Sequence, residues 1–175
     1  LTLTANAQPA LMAVSLAAAR ALEAGFGVKI STAAFVAGHS LGEYSALAAA
    51  GALSVTDAAR LLRNRGQAMQ AAAPAGTGAM AALIGKVDVE AAEIIALEAG
   101  GAGTVVVAND NNVGNVVISG SKAGVEAAIA VAKAKGFKAI SLPVSAPFHS
   151  PLMAPAAVEM ETALAAAKIN TPVVP

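Results

Sequence analysis

Gly38-His39-Ser40-Leu41-Gly42 sets a serine between two glycines in the Gly-x-Ser-x-Gly order of a nucleophile elbow. The chemistry requires those residue types. In a sharp strand-to-helix turn only small residues fit beside the serine, whose hydroxyl then stands clear of the backbone. The first amides of the helix that follows, Leu41's foremost, can face the oxygen of a tetrahedral intermediate. Taken alone, the pentapeptide also fits an ordinary glycine-rich turn. A serine nucleophile needs a base, and the chain holds two histidines, His39 and His149. His39 adjoins the serine, so its side chain should leave the turn on another side, packed behind the elbow as a structural histidine. His149 lies in Pro147-Phe148-His149-Ser150-Pro151, a loop that two prolines hold rigid enough to carry a general base. An exposed loop histidine without a chemical role is the plainer alternative.

A third residue stands out by position. From Ser54 onward the sequence reads as a helix. At about 100° per residue, Ala58, Leu61, Leu62, Met69 and Ala72 form one apolar stripe. Arg60, Arg63, Asn64, Gln67 and Gln70 take the opposite face, while Arg65 falls within the apolar stripe. A buried guanidinium is costly without an anion. That anion is either a carboxylate of the chain or one that arrives with a substrate. Arginine's planar fork matches a carboxylate with two parallel hydrogen bonds, which lysine cannot do. Serine and buried arginine together suggest an acyl group that ends in a carboxylate.

These residues need elements to hold them. Pro9 to Ala24 reads as a helix entered at Pro9 and closed by Gly25. Thr32 to Ala37 reads as a short buried strand leading into the elbow, and Glu43 to Ala50 as the helix behind it. Ser54 and Asp57 form a capping box for the arginine helix, which runs to about Ala73. Pro74 to Gly78 is a linker, after which the pattern changes. Strands at Ala79–Ile84, Thr104–Ala108, Val116–Ser119 and Lys138–Leu142 alternate with helices at Val89–Ala99 and Lys122–Lys135. An Asn- and Gly-rich turn spans Asn109 to Asn115. The order β-α-β-β-α-β is that of a ferredoxin-like module. Pro143 to Pro151 is a loop, and a last helix runs from about Ala156 to Lys168.

Composition removes several function classes. Eleven basic residues balance eleven acidic ones and are scattered, which argues against a nucleic-acid surface. The chain has no cysteine, so disulfides, thiolate catalysis and Cys-based metal sites are excluded. Two histidines are too few for a histidine-rich metal site, and no metal is expected. The residues are 57% hydrophobic but only 3% aromatic, so much of the core is alanine in helices. The apolar stretch from Ala10 to Ala24 carries Arg20 and Glu23. Its uncharged run is too short to span a bilayer, so a buried helix is expected and no membrane association. The chain starts at Leu1 rather than methionine and ends at Pro175 in mid-pattern, so a chain truncated at both ends is expected.

With these motifs in order, the chain resembles the malonyl-CoA:acyl carrier protein transacylases and the related acyltransferase domains of fatty-acid and polyketide synthases. The likeness rests on Gly38 to Leu47 at the elbow, and on Arg63-Asn64-Arg65-Gly66-Gln67-Ala68-Met69-Gln70, with Arg65 25 residues after the serine. It extends to Pro143-Val144-Ser145-Ala146-Pro147-Phe148-His149, Thr77-Gly78-Ala79-Met80-Ala81-Ala82 and Asn115-Val116-Val117-Ile118-Ser119-Gly120. The resemblance implies Ser40 as nucleophile, His149 as general base and acid, Arg65 as clamp on the malonyl carboxylate, and Leu41 as one oxyanion amide. Gln8 and Asn111 match polar residues near the family's site. Phe148, beside the base, would disfavour α-branched acyl groups, and so favour malonyl over methylmalonyl.

The implied fold is a hydrolase-like α/β core with a parallel sheet, over residues 1–75 and 144–175. A ferredoxin-like subdomain over 76–143 is inserted in it. The implied reaction moves malonyl from malonyl-CoA to the phosphopantetheine thiol of acyl carrier protein, in the cytoplasm, with no cofactor beyond the coenzyme A thioester as substrate. Lys122, Lys133, Lys135 and Lys138 are candidates to receive the acidic carrier. The resemblance further implies a strand with a Gly/Gln-rich loop, giving the second oxyanion amide, ahead of the position of Leu1, and a segment that orients the histidine beyond the position of Pro175. Two rivals stand beside this reading. A serine hydrolase or thioesterase would use an acid between Ser40 and His149, for which Asp110 is the loop candidate. A non-catalytic scaffold would merely keep the fold.

Overall fold

The computed structural model describes residues 3–144 and 146–175, so Ser145 of the histidine loop lies outside the described residues. The chain is a mixed α/β protein. It divides into two compact units, one of Leu1–Ala68 with Val158–Pro175, the other of Met69–Ala157.

The first unit is helical. Helix α1 spans Thr4–Phe26, α2 spans Gly42–Ala49, and α3, Val55–Ala72, belongs mostly to this unit. Most of α6, Ala154–Ala165, completes it. Its core joins Met12, Leu53, Ala58, Leu61, Leu62 and Met160, with Leu41, Tyr44 and Leu47 packed against it. Ser54 caps the helix as its spacing requires: Asp57 N–H donates to Ser54 Oγ at 3.0 Å, while the Asp57 carboxylate accepts from the Ser54 hydroxyl at 2.7 Å.

Three expectations fail here. Helix α1 begins before Pro9 and runs past Gly25 to Gly27, whose φ of 69° supplies the left-handed C-cap. Nor is it a buried helix: only Ala5, Gln8 and Met12 are buried, and Val14, Leu22 and Phe26 are exposed. By length and composition it is also long and apolar enough to cross a membrane. The strand expected before the elbow is absent too. Ile30–Thr32 is a 3-10 turn, and the chain from 33 to 39 follows without a ladder. Phe35 there is 75% exposed. A strand needs neighbours for its backbone groups. Here Val36 N–H donates to Pro175 O at 2.9 Å, while Asn170 and Val173 N–H donate to Ala52 and Ala50 carbonyls. Among the described residues no parallel sheet surrounds the elbow.

The second unit contains the sheet. In chain order it runs β1 (Gly78–Ile84), α4 (Val89–Ala99), β2 (Val105–Asn112), β3 (Asn115–Ser121), α5 (Lys122–Ala134) and β4 (Lys138–Ser141). The strands lie in the order β2-β3-β1-β4, and every neighbouring pair is antiparallel. Period-2 alternation sorts the side chains. Ala81, Leu83, Val116 and Ile118 face a core with Ile95, Val125 and Ala128 of the helices, while Met80, Ala82 and Val117 face the other side. Both helices start on side-chain caps, Asp88 Oδ1 to Ala91 N–H and Ser121 Oγ to Gly124 N–H.

Candidate active site

Ser40 stands in left-handed backbone at φ 53°, and His149 at φ 58°; these are the two non-glycine residues with positive φ among the described residues. An L-residue in that region costs about 1–2 kcal/mol, and such strain gathers at functional sites. The strain thus falls on the two residues that the chemistry selects. The elbow is tight at one glycine only. A Cβ on Gly38 would stand 1.9 Å from the Gly42 carbonyl carbon, whereas one on Gly42 would meet nothing within 4 Å. In the turn, Gly42, Glu43 and Tyr44 amides donate to the carbonyls of His39, Ser40 and Leu41. Leu41 N–H, next in line at the start of α2, donates to no backbone carbonyl among the described residues. His39 is exposed rather than packed behind the elbow, because the segment leading to it lies open on the unit's surface.

Arg65 reaches the serine. Its Nη2 donates to Ser40 Oγ at 3.2 Å, and its Nη1 to Gln8 Oε1 at 2.7 Å. Gln8 is 3% exposed and anchored through Nε2 to Thr4 Oγ1 at 2.9 Å. The ring of Tyr44 lies 6.0 Å from the Arg65 guanidinium carbon. Burial holds the Arg65 guanidinium below its ordinary pKa, with Tyr44 and then Glu43 acting the other way. Burial likewise pushes the Tyr44 phenol up, Arg65 opposing and Glu43 adding to the rise. The ion pairs among the described residues join Arg20–Glu23, Arg60–Asp57, Lys122–Glu126 and Lys135–Glu98, and none uses Arg65. The half-buried cation therefore has neutral partners, one of them the candidate nucleophile.

Two residues set this crossing of α1 and α3. Pro9 lacks an N–H, which leaves the carbonyl of Ala5 without its helical donor. That carbonyl accepts from Arg63 Nη1 at 3.0 Å, and Asn6 Oδ1 accepts from the same nitrogen. Gly66 lets the backbones meet, since a Cβ there would lie 2.5 Å from Ala5 Cα. Helix propensity alone would make Gly66→Ala stabilising by roughly 1 kcal/mol. The expected result is the reverse, a loss of about 1–3 kcal/mol as the helices are forced apart, read as a lower urea midpoint at unchanged slope.

In the second unit, Gly78 opens space for Pro147, whose Cδ would lie 2.3 Å from a Cβ on Gly78. Ser150 Oγ donates to Pro147 O at 2.7 Å, and Met153 N–H to Ser150 O at 2.9 Å. The loop is thus fixed on both sides of His149, which is itself exposed. Phe148 packs with Met80, Ala82 and Val117 on the sheet face away from the helices. Asn111 lies within β2 rather than in a turn, and its Nδ2 faces Asn115 Oδ1 at 3.4 Å. The reversal is confined to Val113 and Gly114, with Gly114 at φ 78°. Asp110, the acid a hydrolase would want on a loop, is likewise a strand residue, paired in register with Val116.

The family profile of the acyl transferase domain matches residues 1–175. The chain belongs to the acyl transferase domain family. It is 50% identical over 178 residues to a malonyl CoA-acyl carrier protein transacylase of Bacillus subtilis, covering 100% of this chain and 54% of that protein. A solved acyl-carrier-protein S-malonyltransferase from Bartonella henselae is 56% identical with a TM-score of 0.94, over 100% of this chain and 56% of that one. A malonyl-transacylase solved in complex with a type II PKS acyl-carrier protein superposes with a TM-score of 0.93 at 41% identity, over 99% of this chain and 55% of that one. The chain spans about half the length of the curated relatives it matches.

Within this acyl transferase domain, sequence reasoning missed Tyr44 and the roles of Pro9 and Gly66. Tyr44 carried one readable signal, an aromatic side chain four residues after the serine in a chain that is 3% aromatic.

Proposed function

We propose that this acyl transferase domain transfers malonyl from malonyl-CoA to the phosphopantetheine thiol of acyl carrier protein, through a malonyl-Ser40 ester. The carrying observation is the Arg65 guanidinium, half-buried, in none of the ion pairs among the described residues and hydrogen-bonded to Ser40 Oγ. A cation so placed suits an acyl group with a terminal carboxylate bound beside the nucleophile. His149 takes the proton of Ser40 as its oxygen attacks the thioester carbonyl, and coenzyme A leaves as the thiol. The carrier thiol then gives its proton to His149 and attacks the ester carbonyl, and His149 returns that proton to Ser40 Oγ as the serine leaves. Leu41 N–H donates to the oxyanion in both steps. Gln8 holds Arg65, Phe148 disfavours branching beside the carbonyl, and Asn111 is a polar contact of the site.

The thioester itself is the activated species, so no resident cofactor is required. Carrier and donor belong to fatty-acid synthesis in the cytoplasm. For α1, the burial of Met12 and Gln8 inside its unit favours a helix packed in protein over one crossing a bilayer. We assign the second unit to a ferredoxin-like insertion at 76–143, on its element order and its β2-β3-β1-β4 sheet. Residues 1–75 and 144–175 then belong to a hydrolase-like core. The test is mass spectrometry of the intact protein after malonyl-CoA, with and without holo carrier. A malonyl adduct on Ser40 that the carrier discharges as malonyl-carrier is expected; free malonate without malonyl-carrier would make it a hydrolase.

A further inference from the structure

Tyr44 is the chain's one tyrosine, in a sequence that is 3% aromatic. It is half-buried on α2, and its ring packs against the cluster of Met12, Leu61, Leu62 and Met160, so its position is fixed by the core of the first unit. The other end of that contact is the Arg65 guanidinium, 6.0 Å from the ring centroid. Gln8 and Ser40 hold the guanidinium only at Nη1 and Nη2. Beyond these two contacts the plane of the ion is held only by its own flexible side chain through Nε. A bidentate pair with a carboxylate requires the two planes to coincide. The Tyr44 ring, with the guanidinium carbon 6.0 Å over its face, adds a constraint beyond those two contacts. Its π face also attracts the cation without a formal negative charge, so it steadies Arg65 without competing for it as an aspartate or glutamate would.

We propose that Tyr44 is a positioning residue, which sets the preference for carboxylate-bearing acyl groups by fixing the plane of Arg65. The proposal rests on the reading of Arg65 as carboxylate clamp. An acyl group without a carboxylate makes no use of that plane, so the effect is selective.

The experiment measures loading of Ser40 from malonyl-CoA and from acetyl-CoA by the intact protein, as kcat and KM for each donor. Tyr44→Leu is expected to lower the malonyl-to-acetyl ratio of kcat/KM by about five- to tenfold, mainly through a higher KM for malonyl-CoA. Tyr44→Phe, which keeps the ring, should hold the ratio within about twofold of the parent. Tyr44→Met fills the same space without a π face and gives the same readout where the leucine variant does not fold. A ratio unchanged in the leucine or methionine variant, with both donors falling together, overturns the proposal. Arg65→Ala run in parallel separates the two levels. A ratio that collapses with Arg65→Ala but not with Tyr44→Leu removes Tyr44's role alone. A ratio that survives Arg65→Ala removes the clamp and the proposal with it.

Discussion

Replacing Ser40 with alanine is expected to abolish the malonyl adduct and to lower transfer by about 10⁶-fold, the scale on which losing a serine nucleophile acts. The elbow adds a second result that activity alone does not give. Ser40 is held at φ 53°, where a Cβ is disfavoured, and its hydroxyl accepts a hydrogen bond from Arg65. Alanine keeps the unfavourable Cβ and loses the acceptor. Glycine loses the acceptor but adopts this backbone without steric cost. Ser40→Gly should therefore be more stable than Ser40→Ala by up to about 1 kcal/mol, read as a higher urea midpoint, while both are inactive. Equal midpoints would mean that the turn stores no strain at this residue. A malonyl adduct persisting on either variant would remove Ser40 from the chemistry.

Much of this arrangement was legible because it rests on local rules. The helix cap at Ser54, the apolar stripe of α3 with Arg65 in it, and the alternating strands of the second unit follow from residues close in sequence. So does the proline-bounded loop of His149. What failed depends on partners distant in the chain. The run at 32–37 has the composition of a buried strand, but composition does not supply neighbours, and Val36 finds one carbonyl, that of Pro175. Asn111 sits in a polar, Gly-containing stretch that reads as a turn. The ladder to β3 nonetheless carries β2 through Asn112 and leaves two residues to reverse the chain. Gly66 reads as a weak point in a helix, and only the approach of Ala5 shows why glycine is there. Arg65 is the instructive case. Periodicity showed that it needs a partner, but not whether the partner is a carboxylate of the chain. The pairs at Gln8 and Ser40 show neutral partners, which directs attention to the substrate.

Arg65→Ala is the substitution that tests that direction most strongly. Suppose first that Arg65 were only structural. Its loss would remove the hydrogen bond from Nη1 to Gln8 Oε1 and would lower stability, and loading from malonyl-CoA and acetyl-CoA would fall in equal proportion. Under the clamp role the two donors separate. Malonyl loses a charge-assisted bidentate pair in a partly buried setting, an effect of about 2–4 kcal/mol. Its kcat/KM for loading should fall by about 100-fold or more. Acetyl has no carboxylate to lose, so its use relative to malonyl should rise by the same factor. Arg65→Lys refines the result, because lysine restores the charge but not the planar fork. It should recover only part of the malonyl rate, about tenfold short of the parent, since a point charge fixes no plane. Added salt should weaken malonyl loading less than an exposed ion pair would suggest, because the guanidinium is half-buried and poorly screened. Equal losses for both acyl donors in Arg65→Ala would return the arginine to a structural role and leave Ser40 without a reason to prefer malonyl.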